Sequence, residues 1–251
     1  MLFLVGTGIS EEGMTIDGIE ACKVSDDVYI DAYTSTISAS KIEKIESLIN
    51  KKTKKLSRSD MEENMGRLLS KDKSISILVG GDPLIATTHK IIYTKASTIG
   101  IPIKIIHSSS IISAIMGESG LDFYRFGQIV TIARWSEHYK PISFYDTIKR
   151  NLENNLHTIL LLDYDQKEAS SIPINEAITY MEHAEKDRNN GIIKDSTEVI
   201  IIEQLSQIDE RKIFTNIKNA RRMDKIKGMR TMIFPSKITD IEKEIINIVY
   251  S

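Results

Sequence analysis

The sequence predicts an α/β protein with a mainly parallel sheet, on the basis of three observations. Short runs of β-branched residues alternate with stretches of helical periodicity, a pattern typical of parallel sheets. Two of these runs end in glycine-rich turns, at Gly6-Thr7-Gly8 and at Gly80-Gly81, as expected where a buried strand turns toward a helix. A chain of 251 residues is also long enough to bury a substantial core, in one large domain or in two smaller ones.

The first half of the chain predicts four strands and four helices in alternation. The strands are expected near Leu2 to Val5, Asp27 to Asp31, Ile75 to Val79 and Ile103 to Ile106. The helices are expected near Ile16 to Lys23, Asp60 to Ser70, Thr87 to Ile99 and Ser109 to Met116. Asp60 and Glu63 have the spacing of a capping box, and Thr87 and Thr88 are suited to cap the next helix.

The second half continues this alternation after the stretch Gly117-Glu118-Ser119-Gly120, which is typical of a chain passage between domains. The predicted domains are therefore residues 1–118 and 119–251. Strands are expected in the second domain near Ile129 to Ala133, Thr158 to Leu162, Glu198 to Ile202 and Thr231 to Phe234. Helices are expected near Phe144 to Asn154, Pro173 to Asp187 and Asp240 to Val249.

Composition excludes several classes of partner and site. With 33 basic and 35 acidic residues, the chain gives no global electrostatic case for binding nucleic acid or an acidic membrane. Cys22 is the single cysteine, which excludes an intrachain disulfide and a thiolate zinc cluster and fits a reducing, cytoplasmic setting. The apolar stretch Met1 to Val5 is too short for a signal peptide or a membrane span. The basic run Lys51 to Lys55 is interpreted as a solvated surface.

Several familiar motifs fail or are incomplete. Glu11 stands where a dinucleotide fingerprint needs its third glycine, so Gly6 and Gly8 either bring backbone amides close to another ligand or simply end the strand. The chain lacks a phosphate loop and a nucleophile elbow, and Ser108 to Ser110 are better read as a helix cap. His157 precedes an apolar strand and is expected to be packed or capping. The histidines lack metal-ligand spacing, so no metal is expected; they are His89, His107, His138, His157 and His183.

The segment GGDPLIATTH, from Gly80 to His89, is the most informative part of the chain. It follows an apolar strand directly, and its glycines let the backbone turn sharply and approach a ligand. Asp82 places a carboxylate at the end of the strand, where open α/β sheets bind ligands. An ordinary strand-to-helix turn favours the same residue types, so these residues alone leave both interpretations open.

Six segments read in order extend this interpretation to the whole chain. Together they resemble the diphthine synthase family, S-adenosylmethionine-dependent methyltransferases of the diphthamide pathway whose fold is similar to that of the tetrapyrrole methylases. Their order and spacing are specific, and they span nearly all of the chain. The segments are Leu2 to Ile9, Met14 to Ser35, Gly80 to His89, Ile106 to Ile115, Gly120 to Gln128 and Ser143 to Asp163.

The resemblance implies a two-domain tetrapyrrole methylase-like fold and a homodimer. The N-terminal domain is expected to have a mainly parallel sheet and the C-terminal domain a mixed sheet, with S-adenosyl-L-methionine in the cleft between them. The positions that match the cofactor contacts of the family are Ile9, Asp82, Ile85, Ser110, Ile111, Leu162, Leu205 and Arg230. Leu205 and Arg230 lie where this chain departs from the family pattern, at Glu203 to Ser206 and at Met229-Arg230.

Physical chemistry agrees with this placement of the cofactor. A sulfonium cation joined to an adenosine needs apolar walls with a carboxylate nearby, and Ile9, Ile85, Ile111 and Leu162 can supply such walls. Asp31 and Tyr33 are the candidates for the substrate side, because a carboxylate and an aromatic face favour a developing quaternary ammonium. Asp31 could instead cap the loop that follows it, and Tyr33 could pack against the second domain.

By resemblance, the substrate is the 3-amino-3-carboxypropyl group on one histidine of translation elongation factor 2. Water or a carboxylate could take the proton from an amine whose ordinary pKa is about 8. Archaeal relatives stop at the trimethylammonium, whereas eukaryotic ones also esterify the carboxylate, and the compact chain favours the archaeal type. Two alternatives remain: a tetrapyrrole methyltransferase of the precorrin type, and a non-catalytic protein that binds the cofactor and contacts the translation factor.

Overall fold

The computed structural model describes residues 1–31, 37–57, 59–60, 69, 72–165, 167–223 and 227–251. The chain forms two compact units, Met1–Ala114 and Ile115–Ser251. The division between the units falls within the helix Ile111–Glu118, and the predicted domain boundary after residue 118 lies at the carboxyl end of this helix. In the described part of the chain, no helix combines the length and the apolar character needed to cross a membrane.

The first unit is built on a five-stranded parallel sheet, which confirms the prediction. Its order is β3-β2-β4-β1-β5, so the first strand of the chain lies inside the sheet. Leu2 is opposite Ile75 on one side and Ile103 on the other. The strands are β1 (Leu2–Gly6), β2 (Asp27–Asp31), β3 (Lys54–Leu56), β4 (Ile75–Val79) and β5 (Ile103–Ile106).

Strands β1 and β4 are buried at every position, as expected for neighbours in the middle of a parallel sheet. Their side chains alternate between two apolar clusters. Leu2 and Leu4 pack on one face with Ile92 of the helix Lys90–Thr98, while Phe3 and Val5 pack on the other with Ala21 of the helix Ile16–Val24. Helices therefore cover both faces of this sheet.

The helices of the first unit are α1 (Ile16–Val24), α2 (Ala39–Ile49), α3 (Lys90–Thr98) and α4 (Ile111–Glu118), the last of which runs into the second unit. Helix α3 starts later than predicted, and the expected caps are wrong. His89 holds its N-cap position without a side-chain cap bond, because the Thr87 hydroxyl instead bonds the His89 ring. Helix α2 and strand β3 were not predicted.

The capping box expected at Asp60 is also wrong. Residues 59 and 60 are already helical, and the reciprocal bonds lie one turn earlier. The Ser57 hydroxyl accepts from the Asp60 amide at 3.3 Å, and the Asp60 carboxylate accepts from the Ser57 amide at 2.9 Å. Glu63 and most of the helix predicted at Asp60 to Ser70 lie outside the described residues.

The second unit has a mixed five-stranded sheet of order β11-β10-β12-β7-β6, which confirms the expected sheet type. Strands β6 and β7 are parallel, and the other neighbours are antiparallel. A separate antiparallel pair is formed by β8 (Tyr164–Asp165) and β9 (Ser170–Ser171). The five strands are β6 (Val130–Ile132), β7 (Thr158–Leu162), β10 (Glu198–Glu203), β11 (Arg211–Asn216) and β12 (Arg230–Phe234).

Helices α5 (Ser143–Glu153) and α6 (Ile174–Arg188) supply much of the core of this unit. Phe144 and Ile148 of α5 are buried together with Met181 of α6 and with the side chains of β7, β10 and β12. Helix α7 (Ile217–Ala220) follows β11, and α8 (Asp240–Val249) ends the chain with the predicted bounds. Strand β11 and helix α7 were not predicted.

A buried polar cluster ties α8 to the rest of the second unit. The Glu242 carboxylate accepts hydrogen bonds from the Asp122 amide at 3.0 Å, the Thr239 amide at 2.8 Å and His157 Nε2 at 2.9 Å, and it also pairs with Arg125. His157 Nδ1 accepts from a backbone amide, so its proton lies on Nε2. This confirms the expectation that His157 is a packed, structural histidine.

Candidate functional site

The candidate site lies at the carboxyl edge of the parallel sheet in the first unit. The carboxyl ends of parallel strands meet at one edge, where ligands bind in α/β proteins. Strand β1 ends there at Gly6, β4 at Val79 and β5 at Ile106. Five of the eight predicted cofactor positions follow these three strands: Ile9, Asp82, Ile85 and Ser110 lie in the turns, and Ile111 begins α4.

Two of these turns are joined by a pair of reciprocal main-chain hydrogen bonds between Gly8 and Gly81, the glycine clasp. Each amide donates to the other carbonyl at 3.1 Å. Both residues have left-handed φ values, +68° and +71°, which favour glycine. A Cβ on Gly8 would lie 2.5 Å from the Gly13 carbonyl oxygen, so the first turn has no room for a side chain there.

The buried Lys41 of α2 stabilises the turn after β1. Its ammonium donates to the carbonyl oxygens of Gly8 at 2.9 Å and Ser10 at 2.5 Å, and the residue is 5% exposed. Burial lowers the pKa of Lys41 to about 8, against the smaller opposing effect of the Glu11 charge. Sequence reasoning missed Lys41, because a lysine between apolar helix positions looks like an exposed side chain.

We expect Lys41→Met to lower the free energy of unfolding by about 1 to 2 kcal/mol, because two hydrogen bonds from a charged donor are lost while the cost of burying the charge is also removed. Urea unfolding measures this change. Lys44→Met is the matched control, since Lys44 lies on the same helix but its side chain is half exposed and pairs only with Glu12 among the described residues. Equal stability of both variants would mean that the clasp holds the turn without Lys41.

Asp82 is buried, and its carboxylate is fully engaged inside the first unit. Oδ1 accepts from the Leu84 amide at 3.0 Å, while Oδ2 accepts from His107 Nδ1 at 2.7 Å and from the Ser108 amide at 3.4 Å. The carboxylate therefore shapes its own turn and fixes the segment after β5. Asp82 joins two of the three turns at this edge through its side chain.

The three serines after β5 have distinct roles. Ser110 accepts from the Ile112 amide at 3.3 Å and so caps α4, which confirms the cap prediction for this residue. Ser109 instead accepts from the Ile9 amide at 3.1 Å, and Ser108 donates to the Gly13 carbonyl at 2.7 Å. These bonds bring the turn after β5 against the turn after β1, so Ile9 and Ser110 lie in one structural assembly.

Asp31 ends β2 at the same edge but is completely buried. Its Oδ2 is 2.9 Å from His89 Nε2, and His89 Nδ1 is 2.6 Å from the Thr87 hydroxyl. The exposed fractions of the Asp31 and His89 side chains are both 0%. A role of Asp31 on the substrate side stays a prediction, and Tyr33, the other candidate, lies outside the described residues.

The second unit contains the other three predicted cofactor positions, Leu162, Leu205 and Arg230. Leu162 ends β7 and is buried in the core. Arg230 begins β12, and its guanidinium donates to Glu203 Oε1 at 3.1 Å and to the Ser171 carbonyl at 2.8 Å. Thus Arg230 and Glu203, both at departures from the family pattern, form a buried ion pair.

Leu205 is buried between two residues with left-handed backbone, Gln204 and Ser206. Gln204 also bonds Met229 in both directions, with its amide donating at 2.9 Å and its side-chain oxygen accepting at 2.8 Å. The two departing segments are therefore bonded to each other. Among the described residues, no group of three or more side chains is arranged to hold a metal ion.

Comparison with known proteins assigns the chain to a family. The family described as Tetrapyrrole (Corrin/Porphyrin) Methylases matches residues 1–221. The diphthine synthase of Methanocaldococcus jannaschii is 34% identical and covers 97% of this chain and 96% of its own length. That of Methanothermobacter thermautotrophicus is 36% identical over 80% of this chain and 77% of its own length.

Solved structures agree with this assignment. A crystal structure of diphthine synthase superimposes with a TM-score of 0.86 at 30% identity, covering 99% of this chain and 95% of the other. The chain therefore belongs to the diphthine synthase family of the tetrapyrrole methylases, and it is a methyltransferase of diphthamide biosynthesis.

Proposed function

We propose that the chain uses S-adenosyl-L-methionine to methylate the amino group of the 3-amino-3-carboxypropyl side chain on a histidine of translation elongation factor 2. The observation that carries this proposal is the glycine clasp at the carboxyl edge of the parallel sheet, in a chain that matches diphthine synthases over nearly its whole length. Such an edge, with close backbone turns, is where α/β proteins hold nucleoside ligands.

The residues at this edge fit the proposed cofactor. Among the described residues, a Cβ added to Gly81 would meet only the Ser109 carbonyl oxygen, at 3.8 Å, so these residues leave space beside the second turn. Ile85 is 46% exposed, and Ile9 and Ile111 are partly exposed, which leaves apolar surface for an adenine ring. The buried Asp82 carboxylate supplies the negative charge that favours a cation nearby.

The cofactor supplies an electrophilic methyl group, and the protein positions this group and the substrate amine. Ile9, Ile85 and Ile111 would bind the adenosine portion, while Asp82 and Ser110 keep their turns in place. Leu162, Leu205 and Arg230 are proposed as further cofactor contacts, as the family resemblance implies. Since the Arg230 guanidinium is bonded to Glu203, Ser170 and Ser171, main-chain atoms at this position are the groups proposed to contact the cofactor.

A methyl-transfer assay tests the proposal directly. Elongation factor 2 that carries the unmethylated side chain is expected to gain methyl groups, whereas a panel of tetrapyrroles is not. Methylation of a tetrapyrrole would support the precorrin-type alternative. Binding of the factor and cofactor without any transfer would support a non-catalytic role.

We expect the reaction to stop after three methyl groups, because a quaternary nitrogen has no lone pair left to attack a fourth. Esterification would need the carboxylate oxygen to turn into line with the methyl group. Mass spectrometry of the exhaustively modified histidine peptide measures the number of methyl groups added. A fourth methyl group that is removed by alkali would contradict this prediction.

We also propose that the functional unit is a homodimer, as the family resemblance implies. Light scattering at micromolar concentration should give twice the mass of the chain. The monomer mass under these conditions would contradict the proposal.

A further inference from the structure

His107 differs in its surroundings from His89, the other histidine of the first unit. It follows β5 directly, and its side chain is 67% exposed, whereas that of its partner Asp82 is 6% exposed. His89 is fully buried, with both ring nitrogens hydrogen-bonded. In the part of the chain that the structure describes, His107 is bonded only through Nδ1, at 2.7 Å from Asp82 Oδ2.

The partners of Asp82 determine which nitrogen of His107 carries the proton. The carboxylate accepts from the backbone amides of Leu84 and Ser108, so it is an acceptor held in a fixed position. The 2.7 Å contact then requires Nδ1–H as donor. In the neutral ring this leaves the lone pair on Nε2, which points away from the buried carboxylate because the two nitrogens lie on opposite sides of the ring.

We propose that Nε2 of His107 is the catalytic base that removes protons from the substrate amine, with Asp82 as its positioning residue. This inference rests on the proposed function. His107 precedes Ser110 and Ile111 by only a few residues, and Asp82, a proposed cofactor position, bonds it directly. The base therefore belongs to the same edge as the residues proposed to bind the methyl donor.

Each of the three methyl transfers releases one proton from the amine, and His107 Nε2 is the proposed acceptor. An amine with an ordinary pKa of about 8 is mostly protonated at neutral pH, and an ammonium has no lone pair. In each cycle the nitrogen loses one proton to Nε2, its lone pair forms the N–C bond, and the electron pair of the broken S–C bond stays on sulfur. Nε2 then releases the proton to water. Three methyl groups are thus added for three protons lost.

The orientation of His107 is tested without any reaction. Nitrogen NMR of histidine-labelled protein, free of cofactor, should show the Nδ1–H form for His107 at a pH where the ring is neutral. Asp82→Asn should reduce the preference for that form, since the charged acceptor is gone. A predominant Nε2–H form in the wild-type protein would overturn the proposal.

The base role is tested by single-turnover methyl transfer to the modified elongation factor. His107→Ala and His107→Gln should slow transfer by about 100-fold, within the usual range for a general base, while calorimetry shows cofactor affinity changed less than about threefold. Added imidazole should partly restore His107→Ala. His138→Ala is the control, because His138 is highly exposed in the second unit and should keep the wild-type rate.

The outcomes separate the two proposals. A wild-type protein that does not methylate the modified factor overturns the proposed function and the base with it. A wild-type protein that does, combined with a His107→Ala variant that keeps more than a third of the transfer rate, overturns the base alone. Loss of cofactor affinity equal to the loss of rate would make His107 a binding residue and would also overturn the base.

Discussion

Glu242→Ala should lower the free energy of unfolding of the second unit by about 3 to 5 kcal/mol, the usual cost of breaking a buried ion pair from one side. The variant leaves Arg125, His157 and the Asp122 amide without their shared acceptor. It also removes the capping box between Thr239 and Glu242 at the start of α8. Chemical unfolding followed by circular dichroism measures the change.

The same cluster makes the second unit sensitive to acid. Burial raises the pKa of Glu242, but the hydrogen bonds from Thr239, Asp122 and His157 outweigh this effect and lower it from 4.5 to about 2. A carboxyl with a lowered pKa stabilises the fold above its unfolded pKa, and this stabilisation is lost as the pH falls from about 4.5 to 2. The loss is on the order of 3 kcal/mol.

His157 adds to the loss at higher pH. Burial lowers its pKa below the ordinary 6.5, against the opposing effect of Glu242. The unfolded chain therefore binds a proton there before the folded chain does, and stability decreases as the pH falls below about 6.5.

Unfolding curves at pH 7, 5 and 3 should show a smaller loss between pH 5 and 3 for Glu242→Gln than for the wild type. Glu244→Ala, an exposed change on the same helix, should behave as the wild type does. If Glu242→Gln and the wild type lost the same free energy between pH 5 and 3, the low pKa assigned to Glu242 would be wrong.

Ser110→Trp should weaken binding of S-adenosylmethionine by at least about 100-fold. Ser110 is 9% exposed at the start of α4, so an indole there must project into the space beside the turns or displace them. Loss of the helix cap alone lowers the free energy of unfolding by about 1 kcal/mol. The variant Ser110→Ala measures this effect of the cap without adding a large side chain.

Calorimetric titration with the demethylated cofactor product provides the affinities. Ser113→Trp is the matched control, since Ser113 is exposed on the same helix and a large side chain there has room. If Ser110→Trp retained wild-type affinity and its fold, the placement of the cofactor at this edge would be wrong.

Sequence patterns predicted the elements that bury most of their side chains. Strand β4 has the predicted bounds, because a continuous apolar run is what a central parallel strand requires. Strand β3 was not predicted because it overlaps the basic run Lys51 to Lys55. It pairs through its backbone at the sheet edge, while the side chains of Lys54 and Lys55 are exposed. Strand β11 is another edge strand, and its first residues, Arg211 and Lys212, gave no apolar signal.

The candidate site residues that could be predicted from the sequence are those whose hydrogen bonds are local. Asp82 and Ser110 each bond an amide two residues further along the chain. Lys41 and His107 were missed because their partners are distant in sequence: Lys41 bonds Gly8, and His107 bonds Asp82. Only the fold brings those partners together, because α2 lies against the turn after β1 and the turns after β4 and β5 meet at one edge of the sheet.

The interior position of β1 has a consequence for synthesis on the ribosome. This strand is synthesised before both of its neighbours, β4 at Ile75–Val79 and β5 at Ile103–Ile106. At about 5 to 20 residues per second, the apolar segment LFLVG waits on the order of 5 to 20 seconds before both partners exist. During that time the segment lacks both of its strand partners, so we expect a holding chaperone to bind the nascent chain there.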